Sequence, residues 1–311
     1  MAKLAIIQKA PAILDKAGTI HKAIDLVKQA AAEGANLVIF TETYIPGYPA
    51  WIWRLKPGGD RKLSEELHAR LLKNAVNLAN KDLAPLCDAA KQYNTTIVCG
   101  MHEIDGELSR GTLYNTVVVI DTDGEIINRH RKLMPTNPER MVWGFGDASG
   151  LKAIDTPAGR IGTLICWENY MPLARYALYS QGVEIYIAPT FDCGDDWVET
   201  LRHIAREGRC WVVGSGNAMK VSDLPDDFPQ KATIYPDPEE WINPGDSVVI
   251  EPGGRIAAGP LRKEEGVLYH DIDLDLSHTA KRALDVVGHY SRPDIFRLQV
   301  NTKPQAPIEF S

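Results

Sequence analysis

Three residues of different reactivity, Glu42, Lys132 and Cys166, occupy the same kind of position in this sequence. Each stands at the end of a run rich in apolar or branched residues that predicts a β-strand, and these runs are residues 36–42, 125–132 and 160–166. The carboxyl ends of strands are where α/β enzymes commonly gather their reactive groups. These three side chains are therefore the leading candidates for a site.

The three groups are chemically complementary. An ordinary thiol, with a pKa near ~8.5, is only a few per cent thiolate at pH 7. A neighbouring carboxylate such as that of Glu42 accepts the proton of Cys166, and an ammonium such as that of Lys132 stabilises the thiolate and negative charge developing on a substrate. These groups make nucleophilic chemistry by a thiol possible without a histidine.

Two other interpretations of Cys166 stay open. A lone cysteine is often a small buried residue with no chemical role. A Cys–His pair is the second, and His130 or His203 could supply its base. Strand alternation places His130 on the same face as Lys132 and so does not exclude it. Near-complete loss of chemistry in His130→Ala would favour the Cys–His pair.

The composition is that of an ordinary globular protein and argues against a general nucleic-acid binder. The chain has 311 residues, of which 44% are hydrophobic and 24% charged, and a formal net charge of −7. Phosphate binding needs clustered Lys and Arg. The densest basic cluster, residues 130–132, is too short for that purpose.

The number and spacing of the cysteines bear on structural metal binding and on the cell compartment of the protein. The five cysteines are widely spaced and form neither a C-x-x-C pair nor a Cys/His ligand set: Cys87, Cys99, Cys166, Cys193 and Cys210. This speaks against structural zinc and a disulfide framework. No secretory signal follows Met1, and no apolar stretch approaches the ~18 residues of a membrane span. We expect a cytoplasmic protein with no metal and no membrane partner.

The remaining chain alternates predicted strands and helices. Further strands are expected at residues 3–8, 96–101, 114–121, 184–189, 210–214, 247–251, 254–258 and 267–273. Helices are expected at residues 18–33, 61–93 with a break at Pro85, 171–181 and 196–207. Many strands are apolar at successive positions, so both faces of their sheets should be covered.

No linker or low-complexity segment divides the chain. We therefore expect a single α/β domain over residues 1–300 and a C-terminal tail over residues 301–311. Residues 224–244 are predicted to be a long loop within the domain.

Longer motifs around the three candidates resemble those of the carbon–nitrogen hydrolase (nitrilase) superfamily. They are Phe-Thr-Glu42-Thr-Tyr, Arg-His-Arg-Lys132-Leu-Met-Pro-Thr and Ile-Cys166-Trp-Glu-Asn-Tyr-Met-Pro-Leu-Ala-Arg. Residues 139–147 and 288–294 are also similar, and the resemblance runs from Ala5 to about Arg297. Cys-Trp-Glu-Asn resembles the true nitrilase branch, whereas related amidases more often carry Cys-Tyr-Asp or similar.

The resemblance implies a four-layer α-β-β-α sandwich and hydrolysis of R–C≡N to a carboxylic acid and ammonia. It implies that Cys166 is the nucleophile, Glu42 the general base and Lys132 the stabiliser of anionic intermediates. Glu139 resembles a further glutamate that orients Lys132 and the substrate. No metal or organic cofactor is implied, and a homo-oligomer, either a dimer or a longer spiral, is expected. Many relatives have His where this chain has Asn137, so no role of that His transfers.

Four residues near the motifs are candidates for pocket walls: Tyr48, Trp167, Thr190 and Phe191. Such walls suit aryl or arylaliphatic nitriles but do not rank them against aliphatic ones or dinitriles. Two alternatives to nitrile hydrolysis are kept. One is amidase activity or nitrile-to-amide hydration at the same site, and the other is a non-catalytic binding or assembly module of the same fold.

Overall fold

The structure is a computed structural model, and it describes residues 2–306 and Ile308 as two β-sheets with helices on their outer faces. The strands are β1 (Ala2–Gln8), β2 (Leu37–Ile39), β3 (Thr96–Ile104), β4 (Leu113–Ile120), β5 (Ile126–Arg131), β6 (Ile154–Thr156), β7 (Gly159–Thr163), β8 (Ile185–Thr190), β9 (Trp211–Gly216), β10 (Ala218–Lys220), β11 (Trp241–Ile250), β12 (Ile256–Arg262) and β13 (Gly266–Ile272). The α-helices are α1 (Lys16–Ala32), α2 (Arg61–Lys73), α3 (Ala84–Gln92), α4 (Pro172–Tyr179), α5 (Asp195–Gly208), α6 (Lys231–Ile234) and α7 (Leu274–Ala280).

Each sheet has a parallel centre flanked by antiparallel strands. The first sheet has the order β13-β1-β2-β3-β4-β5, in which β1, β2 and β3 are parallel neighbours. The second has the order β10-β11-β9-β8-β7-β6, with β7, β8 and β9 parallel and β12 paired to β11. The parallel strands run in the same direction within each sheet, so their carboxyl ends form one edge where side chains converge.

Alternation along the strands builds the central core. In β1, Ile6 packs between the two sheets, whereas Ala5 and Ile7 face the helical layer. In β8, Ile187 packs between the sheets and Tyr186 faces outward. Successive side chains of a strand point to opposite faces, so a strand that is apolar at every position needs a cover on both sides.

Helices supply those outer covers. Helices α1 and α3 pack on the outer face of the first sheet, and α4 and α5 pack on the outer face of the second. The order of layers is helix, sheet, sheet, helix, and the predicted four-layer α-β-β-α sandwich is confirmed.

Two predicted segments differ from the structure. The helix predicted over residues 61–93 forms two helices separated by residues 74–83, and Pro85, where the break was expected, lies in the first turn of α3. The predicted loop over residues 224–244 is wrong in part, because it contains α6 and the start of β11. Trp241 and Asn243 pair with β10, a partner whose short sequence gave no strand signal.

The chain after residue 300 has neither helix nor strand in residues 301–306 and Ile308. The rest of the predicted tail, namely Pro307 and residues 309–311, lies outside the described residues. Within the described residues, no helix is long and apolar enough to cross a bilayer.

Candidate active site

The three candidate residues lie just beyond the strand ends and not on them. Lys132 directly follows β5, but Glu42 lies three residues after β2 and Cys166 three residues after β7. The prediction that Glu42 and Cys166 are the last strand residues is therefore wrong. Each stands instead on a turn at the edge where the two sheets meet.

Cys166 occupies a backbone conformation that strands do not allow. Its φ is 52°, and it begins a 3₁₀-helix, Cys166–Tyr170. Positive φ is costly for a residue with a Cβ and persists only where neighbours hold it. The Asn169 side chain does so by donating to the carbonyls of Cys166 at 2.7 Å and Leu164 at 3.0 Å. The turn holds the sulfur rigidly at the floor of a pocket.

The Lys132 ammonium lies between two carboxylates. Its Nζ donates to Oε1 of Glu42 at 2.9 Å and to Oε2 of Glu139 at 2.8 Å, and all three side chains are buried. Two carboxylates and one ammonium give this cluster a formal charge of −1. Buried charges persist only when paired and hydrogen-bonded, as they are here.

Glu42 is held from both sheets. Its Oε1 also accepts the Asn115 side-chain amide at 2.7 Å, and its Oε2 accepts the backbone N–H of Phe191 at 2.7 Å. Asn115 is on β4 of the first sheet, and Phe191 follows β8 of the second. The backbone carbonyl of Asn115 accepts the N–H of Lys132 at 2.7 Å, so one residue positions both the base and the ammonium.

Glu139 is fixed by three donors. Besides Lys132, it accepts the backbone N–H of Thr136 and the hydroxyl of Tyr48, each at 2.6 Å. The Tyr48 hydroxyl in turn accepts Nε1–H of Trp53 at 3.0 Å. Acceptance of three donors is the geometry of an ionised carboxylate, which leaves Glu139 little freedom to act as a base.

A buried, neutral histidine hydrogen-bonds to Trp143, whose ring lies next to Lys132. His102 is fully buried, its Nε2 lies 2.9 Å from the Gly47 carbonyl, and its Nδ1 accepts Nε1–H of Trp143 at 2.9 Å. One tautomer satisfies both contacts. Burial lowers the pKa of His102 to about 3, so it stays uncharged beneath Trp143, whose ring lies 5.9 Å from Lys132 Nζ.

Burial and charge set the protonation of the cluster. Burial raises the pKa of Glu42 above its ordinary value, while Lys132 opposes that shift. Burial, followed by Glu42, raises the pKa of the Cys166 thiol, and Lys132 lowers it. Burial would lower the pKa of Lys132, but Glu42, Cys166 and Glu139 together raise it. The resting site thus favours a neutral thiol beside a carboxylate whose proton affinity is increased.

A small aromatic pocket opens above the sulfur. It has a volume of about 130 Å³ and is lined by Tyr48, Trp53, Thr136, Glu139, Cys166, Trp167, Phe191 and Asp192. The rings of Tyr48 and Phe191 stack with centroids 3.7 Å apart, and Nε1 of Trp167 donates to Asp192 at 2.8 Å. Trp167 is 46% exposed and stands at the mouth.

A buried thiol beside a carboxylate–ammonium–carboxylate cluster is the pattern expected from the motifs, and family comparison agrees. The family model described as carbon-nitrogen hydrolase matches residues 3–282. The chain belongs to the carbon–nitrogen hydrolase family.

The sequence of this hydrolase is similar to those of nitrilases. It is 39% identical to an aliphatic nitrilase of Sinorhizobium fredii over 98% of this chain and 97% of the relative. It is 37% identical to nitrilase 2 of Arabidopsis thaliana over 100% of this chain and 91% of the relative. The predicted resemblance to the nitrilase branch is confirmed.

Solved structures agree on the fold. The carbon-nitrogen hydrolase of Helicobacter pylori G27 superposes with a TM-score of 0.72 at 21% identity, covering 95% of this chain and 96% of the other. Nit3 of Saccharomyces cerevisiae, a member of branch 10 of the nitrilase superfamily, superposes with a TM-score of 0.70 at 20% identity, covering 93% and 96%.

The structure brings most of the predicted site residues of this carbon–nitrogen hydrolase together. Tyr48, Trp167 and Phe191 line the pocket with Cys166 and Glu139. Thr190 is fully buried, and a hydrogen bond with its side chain lowers the pKa of the Cys166 thiol. Thr190 is not among the residues that line this pocket.

Sequence reasoning missed the residues that orient the cluster. Asn115 lies inside a strand predicted only as core, and Trp53, Asp192 and His102 lie outside the quoted motifs. A polar residue at a fully buried strand position was the available signal for Asn115, since such a group needs a partner.

The histidines considered as partners of Cys166 have other partners in this hydrolase. His130 Nε2 lies 3.0 and 3.1 Å from the carboxylate oxygens of Glu168. His203 is exposed on α5 and lies 3.4 Å from Glu207. The groups that shift the pKa of the thiol most are instead Glu42, Lys132 and Glu139.

Proposed function

We propose that this carbon–nitrogen hydrolase converts an organic nitrile and two waters into the carboxylic acid and ammonia, with Cys166 as the nucleophile. The observation that carries the proposal is the Lys132 ammonium held between Glu42 and Glu139 beside a buried thiol. The full-length similarity to named nitrilases supports the same reaction.

The first step joins sulfur to carbon. Glu42 takes the proton of the Cys166 thiol as the sulfur attacks the nitrile carbon, and the proton passes to the nitrile nitrogen. The product is a thioimidate. The raised pKa of Glu42 suits this role, because a stronger base shares the proton of a weakly acidic thiol more evenly.

Two additions of water complete the reaction. Water, deprotonated by Glu42, adds to the thioimidate, and ammonia leaves the tetrahedral carbon once its nitrogen is protonated, which gives a thioester. A second water, activated in the same way, adds to the thioester carbon; the sulfur leaves with the returned proton and the acid is released.

The negative charge on each tetrahedral intermediate needs hydrogen-bond donors to stabilise it. Lys132 is one, and the backbone N–H of Trp167 is the other, because it lies in the first turn of the 3₁₀-helix, where N–H groups have no partner within the helix. Loss of one such donor typically costs about 3 kcal/mol of transition-state stabilisation. Glu139 positions Lys132 and is held by Tyr48.

The substrate we propose is a small neutral nitrile. The pocket of about 130 Å³ has aromatic walls in Tyr48, Trp53, Trp167 and Phe191, and the Thr190 side chain hydrogen-bonds to the Cys166 thiol. Flat or short chains fit such a slot better than branched ones. One similar protein carries the name aliphatic nitrilase, which agrees with an aliphatic substrate.

A second outcome at the same site is release of the amide. A relative in Nicotiana tabacum, 37% identical over 98% of this chain and 88% of the relative, is named a bifunctional nitrilase/nitrile hydratase. The first tetrahedral carbon bears both nitrogen and sulfur, so expulsion of the thiol in place of ammonia gives an amide. We propose the acid as the main product.

The test is a panel of nitriles and their amides, with acid, amide and ammonia measured for the wild-type protein and for Cys166→Ala. We expect acid and ammonia in equal amounts from nitriles and none from the variant. Turnover of amides alone would favour the amidase alternative. Absence of both turnover and a covalent adduct on Cys166 would favour the assembly module.

Two further features belong to this proposal. We propose one catalytic unit over residues 1–300 that associates into a homo-oligomer, and light scattering of the pure protein measures the assembly. We also propose that it works in the reducing cytoplasm, since all five cysteines are free thiols.

A further inference from the structure

A fully buried carboxylate outside the cluster connects the nucleophile to the ammonium. Glu168 Oε2 accepts the backbone N–H of Ile165 at 2.6 Å, and its Oε1 accepts the backbone N–H of Leu133 at 2.7 Å. Ile165 precedes Cys166, and Leu133 follows Lys132. One carboxylate therefore bridges the two backbone positions that carry the sulfur and the ammonium.

The bridge joins the edge strand of the first sheet to the second sheet. Lys132 follows β5, which among the described strands pairs with β4 alone, whereas Cys166 follows β7 of the second sheet. The end of β5 is held by Asn115, through its carbonyl. The Lys132 carbonyl also accepts the backbone N–H of Gly146 at 2.8 Å, and Glu168 accepts the N–H of Leu133. Of these groups, Glu168 is the one that also bonds to Ile165, and so it ties the position of Leu133 to the turn that carries Cys166.

His130 locks the bridge in place. Its Nε2 donates to both oxygens of Glu168, and neither side chain is accessible to solvent. A carboxylate that accepts two backbone N–H groups and one ring N–H has its lone pairs directed at fixed partners. The same carboxylate also steadies the turn that keeps Cys166 at positive φ.

We infer that Glu168, held by His130, is a positioning residue that sets the distance between the Cys166 sulfur and the Lys132 ammonium and so directs the first tetrahedral intermediate towards loss of ammonia. The inference rests on the proposed nitrile hydrolysis. It assigns His130 a role that is neither that of a base for the thiol nor that of core filler.

The chemical consequence is a change of product. Ammonia leaves the tetrahedral carbon only when the proton donor and the charged groups stand correctly around its nitrogen. A shift of the sulfur relative to Lys132 and Glu42 slows that step, while expulsion of the thiol with its proton requires less alignment and yields the amide. The fraction of amide is a ratio, so a lower amount of folded enzyme does not change it.

The test compares Glu168→Gln with a matched control, Glu184→Gln. Glu184 also accepts one backbone N–H, from Arg160 at 2.8 Å, and lies 2.8 Å from Nε2 of His278, but it is at the amino end of β8, away from the site. An amide at position 168 keeps one acceptor oxygen and leaves one buried N–H unsatisfied. We expect kcat to fall 10- to 1000-fold with KM within threefold, and the amide fraction to rise at least fivefold. Glu184→Gln should match the wild-type protein in kcat, KM and amide fraction.

His130 provides a second pair of variants that keeps the inference testable if Glu168→Gln does not fold. His130→Gln places an amide N–H near the position of ring Nε2, and His130→Leu removes the donor. We expect the glutamine variant to retain at least a fifth of wild-type kcat and a wild-type product ratio, and the leucine variant to raise the amide fraction. Equal product ratios in both variants and the wild-type protein would overturn the inference.

One measurement separates this inference from the proposed function. Alkylation of Cys166 by iodoacetamide, followed by peptide mass spectrometry, needs no nitrile. If the wild-type protein does not turn over nitriles, the proposed function fails, whereas at least fivefold slower alkylation in Glu168→Gln than in Glu184→Gln still supports the bridge. If nitriles are turned over and the two variants agree in kcat, product ratio and alkylation rate, the bridge is refuted.

Discussion

The backbone N–H of Phe191 donates to Oε2 of Glu42 at 2.7 Å, although the two residues belong to different sheets. Glu42 follows a strand of the first sheet and Phe191 follows a strand of the second. The full set of hydrogen bonds that orients the proposed base is therefore complete only when the two sheets are packed together.

Charge balance predicts opposite effects on stability for two changes in the cluster. In Glu42→Gln, Lys132 remains paired with Glu139, and the formal charge changes from −1 to zero. Because burial raises the pKa of Glu42 in the folded protein, stability from this group is present below its unfolded pKa and declines as pH rises. At pH 7 we expect Glu42→Gln to have a Tm no lower than that of the wild-type protein.

Lys132→Met is the variant to be compared with Glu42→Gln. It leaves two carboxylates buried without a cation, and breaking a buried pair in this way typically costs about 3–5 kcal/mol. Thermal unfolding at pH 7 measures both variants, and both should lack nitrile turnover. A Tm for Glu42→Gln below that of Lys132→Met would contradict this account of the charges.

The pH dependence of kcat/KM follows from the base. Glu42 acts when it is ionised, and its pKa is raised by burial, so the acid limb of the profile should lie above the ordinary glutamate value of ~4.3. Lys132 keeps its proton through the neutral range because its pKa is raised. A neutral nitrile should be used, with Tm recorded at each pH. An acid limb at or below pH ~4.3 in folded protein would refute the assignment.

A hydrogen bond between two pocket-lining side chains helps to orient the half-exposed indole of Trp167. Its Nε1 donates to Asp192. Trp167→Phe keeps an aromatic wall without the donor, and Asp192→Ala removes the acceptor. We expect each to raise KM for an aryl nitrile about 3- to 10-fold, and the double variant to be no worse than either, since both remove the same bond.

Trp167→Ala separates the role of the indole as a pocket wall from its role as a hydrogen-bond donor. It removes the wall itself and should raise KM for the aryl nitrile further than Trp167→Phe does, with a smaller effect on acetonitrile. Steady-state kinetics with the two substrates measures the difference. Full additivity in the double variant, or no change in KM for Trp167→Ala, would show that the indole is not part of the binding surface.

The Tyr48 hydroxyl should affect kcat more than KM. Tyr48→Phe removes the donor to Glu139 and the acceptor for Trp53 but keeps the ring stacked on Phe191. Glu139 then holds Lys132 less firmly, so we expect kcat to fall about 3- to 30-fold, at or below the low end of the effect of one lost hydrogen bond to a charged group, because Tyr48 acts on Lys132 only through Glu139. An unchanged kcat with a raised KM would show that Tyr48 acts only as a pocket wall.

The sequence predicted the layers and the three reactive residues because both depend on local patterns. Runs of apolar residues mark buried strands, and Glu42, Lys132 and Cys166 follow such runs. The predicted strand boundaries were wrong where tertiary contacts determine the backbone conformation. Cys166 adopts a φ of 52° because Glu168 and Asn169 hold its turn, which no apolar pattern encodes.

The hydrogen-bond partners of the reactive groups could not be predicted from the sequence for the same reason. Asn115 contacts Glu42 across 73 positions, and His130 contacts Glu168 across 38. Strand alternation placed His130 beside Lys132 but does not say which group faces it across the sandwich. Trp241 begins a strand because β10 pairs with it, a long-range contact that overrides the loop-like composition of residues 224–244.

The covalent step is the central claim, and acid-quenched mass spectrometry tests it most directly. The wild-type protein is mixed with a short neutral nitrile, quenched in acid during turnover and digested, and the peptide containing Cys166 is weighed. We predict an added mass equal to the acyl group of the substrate on Cys166, and neither adduct nor acid release from folded Cys166→Ala. Nitrile hydrolysis at the wild-type rate by Cys166→Ala would contradict the account.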